Sequence, residues 1–261
     1  MGDAAAGAYG AGAVDGSTVV YVAGSTDCVT SPLDRPTEDL RWINSGYIRE
    51  DLWFGIGTMT SSGVSVEWFA DQFYSGSRDE RLAAMIADAQ AAASREAAEL
   101  LYLPYLQGER TPVWDPKARG AFFGLTASTS RADMAQAVFL GTALGLRDVV
   151  SCLEQMRGGA FEIRACGGSM RNEYWTQLKA DVLGRPIGVL SMQETGSLGA
   201  ALLAGVGTAV VGSHEEAARL SRAASAVTAV EPGTDTARHE ELYELYTALY
   251  ERTRDLSLIH I

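Results

Sequence analysis

Phe161-Glu162-Ile163-Arg164-Ala165-Cys166 alternates in polarity and runs without a break into Gly167-Gly168-Ser169-Met170-Arg171-Asn172, after which Tyr174 to Leu183 carries helical spacing. The alternation predicts a strand, the glycine pair a tight turn, and the following spacing a helix. Strand, glycine turn and helix in that order form an anion- or nucleotide-binding arrangement, because the unpaired amides at a helix start face whatever sits above the turn. A glycine pair at such a junction also serves the turn itself. The stretch therefore needs support from the rest of the chain.

Upstream, Ser17-Thr18-Val19-Val20-Tyr21-Val22-Ala23 is a β-branched run that ends in Gly24-Ser25-Thr26-Asp27. It reads as a second strand entering a small polar turn, a place for a phosphate. The segment beyond it holds Pro32 and Pro36 and reads as loop until Trp53-Phe54-Gly55-Ile56-Gly57 offers another short strand. Helices are predicted after Ser61-Ser62-Gly63, with Val66, Phe69 and Phe73 on one face, and between Arg78 and Leu101. The polar turn Gln107-Gly108-Glu109-Arg110-Thr111-Pro112 follows an apolar segment, with Glu109 and Arg110 read as an ion pair. A long amphipathic helix from about Arg131 to Met156 reads as the central scaffold. Downstream come a short strand at Ile187–Leu190, a small-residue helix at Ser197–Val210 within the apolar stretch Leu198–Gly212 that reads as a buried helix, and two surface helices joined by a charged linker.

Composition narrows the function classes. The chain has 261 residues, 47% hydrophobic and 21% charged, which suits one large domain or two small ones. A net charge of -12 argues against a nucleic-acid groove or an anionic membrane surface, both of which need clustered Lys and Arg. An anionic ligand is then expected to be held by backbone amides or a metal ion. Cys28, Cys152 and Cys166 are odd in number and lack metal-ligand spacing, so no metal site is assigned and a reduced, cytoplasmic setting is expected. The apolar stretch Leu198–Gly212 is shorter than the roughly 20 residues that cross a bilayer, and no basic region opens the chain as in a signal peptide.

The opening Gly2-Asp3-Ala4-Ala5-Ala6-Gly7 sets one carboxylate among small residues. As a helix N-cap it would merely start an Ala-rich helix. As an acid buried without a cation it would be costly to ionise, with a pKa raised toward the range useful for proton abstraction.

The order of motifs decides between these readings. Gly2-Asp3-Ala4-Ala5-Ala6-Gly7, Leu103-Pro104-Tyr105-Leu106-Gln107-Gly108-Glu109-Arg110-Thr111-Pro112, Gly120-Ala121-Phe122-Phe123-Gly124-Leu125, Gly167-Gly168-Ser169-Met170-Arg171-Asn172-Glu173-Tyr174-Trp175 and Thr195-Gly196-Ser197-Leu198-Gly199-Ala200-Ala201 follow one another over most of residues 1–205. In this order the chain resembles the C-terminal domain of the FGGY family of carbohydrate kinases, on its xylulokinase-like branch. The resemblance implies an α/β actin-like ATPase fold, a ribonuclease-H-like domain with a mixed sheet flanked by helices, and an N-terminal companion domain that is absent from this sequence. Residues 1–210 would form the core and 211–261 its surface helices, the end at Leu256–Ile261 being read as truncated or non-native.

The resemblance also implies ATP with Mg2+ and a sugar or polyol acceptor, a xylulose-like ketose being favoured. Asp3 matches the family's catalytic base, Gly24 and Ser25 its second phosphate hairpin, Gly63 a position beside the phosphates and Glu67 one near the ribose. Gly168 matches the glycine that admits the adenine, and Asn172 an amide at the base edge that would also serve as a helix N-cap. Two departures stand out: Ala4 replaces an Asn or Gln that contacts the sugar, and Asp27 puts an acid beside a triphosphate, unfavourable unless it faces magnesium or solvent. The competing function is a non-catalytic nucleotide-binding fragment or regulatory relative. An isolated domain of this kind would expose the face its companion covers, so association as a homodimer or poor solubility is expected.

Overall fold

The structure is a computed structural model that describes residues 2–94 and 100–258. The C-terminal end at Ile259–Ile261, including His260, and the last part of the helix expected up to Leu101 lie outside the described residues. The chain opens with α1 (Asp3–Gly10) and enters the sheet as β1 (Thr18–Ala23), β2 (Asp27–Leu33), β3 (Ile43–Gly46) and β4 (Trp53–Met59). Helices α2 (Ser62–Phe73) and α3 (Arg78–Ala93) follow, then the short ribbon of β5 (Leu101–Leu103) and β6 (Ala121–Phe123). The long helix α4 (Arg131–Arg157) leads to β7 (Glu162–Cys166), a 3-10 turn (Gly168–Arg171), α5 (Glu173–Leu183), β8 (Ile187–Leu190) and α6 (Thr195–Gly207). The chain closes with α7 (His214–Ala224), β9 (Val227–Val230) and α8 (Thr236–Thr253).

The main sheet has seven strands in the order β3-β4-β2-β1-β7-β8-β9. β1, β2 and β4 form an antiparallel meander, while β7 runs parallel to β1 and β8 parallel to β7. This is the mixed sheet expected of a ribonuclease-H-like domain. Alternation along β1 divides the core between its two faces. Val19, Tyr21 and Ala23 join the cluster packed by α4 and α5, and Val20 turns to the opposite side, where Ala5 and Ala8 of α1 meet it.

Helix α4 begins with a capping box, in which Ser130 and Asp133 bond each other's backbone amides, and it is buried along most of its length. By length and composition alone it could cross a bilayer, yet 78% of its most apolar window is buried inside the protein. It is the core helix that the amphipathic pattern predicts.

Three expectations are corrected. The stretch read as loop before Trp53 contains β2 and β3. Pro32 is tolerated in β2 because β1 pairs only as far as Thr30, so the last residues of β2 bond β4 alone and the proline nitrogen faces an open side. The charged linker near the C-terminus includes β9, which pairs antiparallel with β8 and brings the C-terminal segment into the same sheet. Helix α6 is buried only at Thr195, Gly199 and Leu202, along the face set against α1. Leu198, Leu203 and Val206 are half-buried in a cluster shared with Ala217 of α7, and Ser197, Ala200, Ala201, Ala204 and Gly207 are exposed.

Candidate functional site

The β1–β2 hairpin turns at Gly24-Ser25-Thr26, and the start of α2 docks directly on it. The Val64 amide donates to the Ser25 carbonyl at 3.1 Å, and the Thr26 hydroxyl donates to the Thr60 carbonyl at 3.2 Å. Gly63 permits this approach: a Cβ there would lie 2.4 Å from the Gly24 carbonyl oxygen, inside any allowed contact. The strand–glycine–helix stretch faces this hairpin. Gly167 takes a φ of +105°, and a Cβ on it would sit 2.3 Å from the Ala23 carbonyl oxygen, so this glycine serves the turn and the strand contact. Gly168 differs, since a Cβ there would meet nothing within 4 Å.

Between the two walls lies an open cleft of about 560 Å³. Gly24, Ser25, Gly63, Glu67, Gly168 and Asn172 all line it. Two other cavities, about 300 Å³ beside α4, α5 and α8 and about 690 Å³ along residues 34–39, contain none of the six. Asn172 caps α5, its Oδ1 accepting the Trp175 amide at 3.1 Å, so the N-cap role is real and the side chain still borders the cleft. Glu67 is ion-paired with Arg78 at the start of α3. Arg78 and Arg171 both line the cleft, which corrects the expectation that amides or a metal alone would face an anion. No local pattern marks these two arginines, because α3 and the 3-10 turn meet the hairpin only in the fold.

Asp3 stands apart. It is the first residue of α1, exposed rather than buried, and its Oδ1 accepts the Ala4 amide at 2.8 Å. The expected burial fails because the small residues around it pack from Ala5 onward, one turn further into the helix. The N-cap is Gly2, so Asp3 occupies the first turn, where an acid complements the helix dipole. Its charge reaches Cys28, the second residue of β2, whose thiol is pushed up to about 12 by burial first and then by Asp27 and Asp3. Asp3 thus sits near the hairpin without lining the cleft.

Glu109 and Arg110 do not form an ion pair among the described contacts. Glu109 is 4% exposed, and its Oε1 accepts the amides of Thr60 and Arg110, each at 2.7 Å. The carboxylate braces the junction between β4 and α2, and burial raises its pKa to about 7. Arg110 points to solvent.

Asp27 faces neither a phosphate nor solvent. It is 1% exposed, and its Oδ2 accepts the hydroxyls of Tyr21 at 2.6 Å and Ser62 at 2.7 Å, with the Lys179 ammonium 3.9 Å away. Lys179 is fully buried, which pushes its pKa down to about 8 against the opposing pull of Asp27. The departure flagged in the hairpin is therefore an interior charge pair.

Among the described residues no group of three His, Cys, Asp or Glu side chains is placed to hold a metal ion. For a nucleotide the fit is better. The space above Gly168 leaves room for a flat group against the backbone, and Ser25 of the hairpin lines the same cleft.

Residues 19–208 match the C-terminal domain of the FGGY family of carbohydrate kinases. Over 261 residues the chain is 29% identical to a xylulose kinase of Staphylococcus epidermidis, covering 98% of this chain and 51% of that protein. It is 33% identical over 199 residues to a glycerol kinase of Lactococcus lactis, covering 76% of this chain and 38% of that one. The solved xylulose kinase of Rhodospirillum rubrum superposes with a TM-score of 0.86 at 25% identity, over 98% of this chain and 51% of that one. The chain spans about half the length of the xylulose kinases it matches. With the family match over most of its residues and the mixed sheet to carry it, the chain belongs to the FGGY family of carbohydrate kinases, as its C-terminal domain.

Proposed function

We propose that this chain is the nucleotide-binding half of an ATP-dependent kinase acting on a small sugar or polyol, with a xylulose-like ketose as the favoured acceptor. One observation carries the reading: Gly24, Ser25, Gly63, Glu67, Gly168 and Asn172, separated by up to 148 positions in the chain, line a single cleft. Gly24 and Ser25 would hold phosphate oxygens through amides and a hydroxyl, with Gly63 beside them. Glu67 would face the ribose, and Gly168 and Asn172 the base. ATP supplies the phosphoryl group that the acceptor hydroxyl takes up. Mg2+ would be held mainly by the phosphates and water, since the hairpin's own acid, Asp27, is turned inward.

Asp3 would accept the proton of the attacking hydroxyl. An exposed carboxylate near the hairpin, with one oxygen held by the helix amide and the other open, suits a base that must reach a substrate. Most of the sugar contacts would come from an N-terminal companion domain, in keeping with relatives about twice as long. A cytoplasmic setting fits the three free cysteines. In sequence, a xylulose kinase aligns with 98% of this chain, against 74% for a gluconokinase and 76% for a glycerol kinase, which favours a ketose.

The test is ADP release by the full-length protein across pentuloses, hexuloses and polyols, with Asp3→Asn alongside. Sugar-dependent release that falls about 10²–10⁴-fold in the variant, with nucleotide affinity kept, supports the kinase and its base. Sugar-dependent release indifferent to Asp3 removes it as the base, and nucleotide binding with no acceptor used supports the non-catalytic reading instead.

A further inference from the structure

The buried pair Asp27–Lys179 has no role in the reading above, and stability does not account for it. Lys179 Nζ has no hydrogen-bond acceptor and Asp27 Oδ1 no donor, although both atoms are fully buried. An ion pair of this kind, removed from water and incompletely bonded, is commonly less favourable than apolar side chains of the same volume. Its placement is what distinguishes it. Asp27 begins β2 directly behind the Gly24-Ser25-Thr26 turn, and it holds Ser62, the neighbour of Gly63, at the start of α2. Lys179 lies on α5, and its ammonium sits 3.6 Å from the centre of the Trp175 ring. Trp175 lines the cleft, is fixed to α4 by a 3.0 Å bond from its indole nitrogen to Thr142, and gives its amide to Asn172.

We propose that Asp27 and Lys179 are positioning residues for a bound nucleoside di- or triphosphate, tying the hairpin and α2 on one side of the cleft to Trp175 and Asn172 on the other. The proposal rests on the nucleotide reading of the cleft. A path of contacts runs from Ser62 through Asp27 and Lys179 to Trp175 and Asn172. The only other side-chain bond described between the Gly168 turn and the hairpin is the 3.4 Å contact of the Ser169 hydroxyl with the Gly24 carbonyl, at the limit of a hydrogen bond. A charged pair resists sliding because displacement separates opposite charges in a poorly screened interior. An apolar pair of the same size would pack but would not fix the distance.

The two explanations separate in Lys179→Met, Asp27→Asn and the double variant, measured for thermal midpoint and for ADP affinity by calorimetry on the chain described. The single variants strand one buried group and should melt lower. The double variant removes both charges and should recover most of the stability the single variants lose, while binding ADP about tenfold more weakly. A double variant that regains wild-type ADP affinity along with its stability overturns the proposal, because the pair would then be structural only. Wild-type chain that binds no ADP overturns the nucleotide reading, and the proposal with it; wild-type binding with unchanged affinity in all three variants overturns the pair alone.

Discussion

Replacing Gly199 by Ala should drive α6 away from α1. A Cβ at residue 199 would lie 1.8 Å from the Ala6 carbonyl oxygen and 2.8 Å from the Gly10 amide nitrogen. The first distance is about half an ordinary contact. The clash is with backbone on both counts, so no rotamer change relieves it. The reciprocal position is as tight, since a Cβ on Gly10 would come within 1.9 Å of the Thr195 carbonyl oxygen. Overpacking of this sort costs about 1–3 kcal/mol, and Ala in place of a helical Gly returns roughly 0.5–1 kcal/mol. A net loss of up to about 2.5 kcal/mol corresponds to a midpoint up to about 10 °C lower in a chain of this size. The control is Gly207→Ala in the same helix, where a Cβ meets nothing within 4 Å and the propensity gain stands alone. Differential scanning calorimetry of the two variants reads the contrast. If Gly199→Ala melts at or above wild type, or falls no further than the control, the close crossing of α1 and α6 is not what holds Asp3 and its helix in place.

Three further outcomes are expected. Gly63→Ala should lift the start of α2 off the hairpin, because its Cβ would lie 2.4 Å from the Gly24 carbonyl, and should weaken ADP binding about tenfold by calorimetry, a cost of about 1.4 kcal/mol; unchanged affinity would remove Gly63 from the site. Glu109 carries a folded pKa raised by burial to about 7 from 4.5, so the folded state binds its proton more tightly and stability from this group falls as pH rises from about 4.5 to 7. Glu109→Gln should therefore gain melting temperature relative to wild type between pH 5 and pH 8, and a difference that stays flat across that range would show the carboxylate is not held neutral. The exposed apolar side chains include Leu40, Leu125 and Val210, the last just beyond the open end of α6, and the chain by itself should run as a dimer in size-exclusion chromatography with light scattering; a stable monomer at high concentration contradicts it.

The elements with strong local patterns were legible in the sequence. The period of α4, the β-branched run of β1 and the alternating β7 with its glycine turn each reflect a side-chain repeat imposed by burying one face, and that repeat survives in one dimension. β2 was not legible, because its Pro32 obeys a rule about sheet edges that applies only once the extent of the β1 pairing is known. β9 was hidden for a similar reason. It is short and largely exposed, and it exists because β8 offers it an edge.

The site divides in the same way. Motif order pointed to the glycines and polar residues of the cleft, since backbone approach and turn geometry demand particular residue types at fixed offsets. It said nothing of Arg78 and Arg171, whose place depends on α3 and the 3-10 turn arriving at one cleft. It mistook the surroundings of Asp3, since burial is a property of what packs against a helix and not of its own composition. Glu109 looked like half of an ion pair with its neighbour and proved to accept the amide of Thr60, 49 residues away in the chain. The family, the strands β1, β4, β7 and β8 and the glycines that a tight backbone requires were readable from residue order alone, because these depend on local chemistry. Which charges are buried, that Asp27 turns inward to Lys179, and that six distant residues share one cleft came from packing alone, because desolvation and long-range pairing are set between segments that do not meet until the chain is folded.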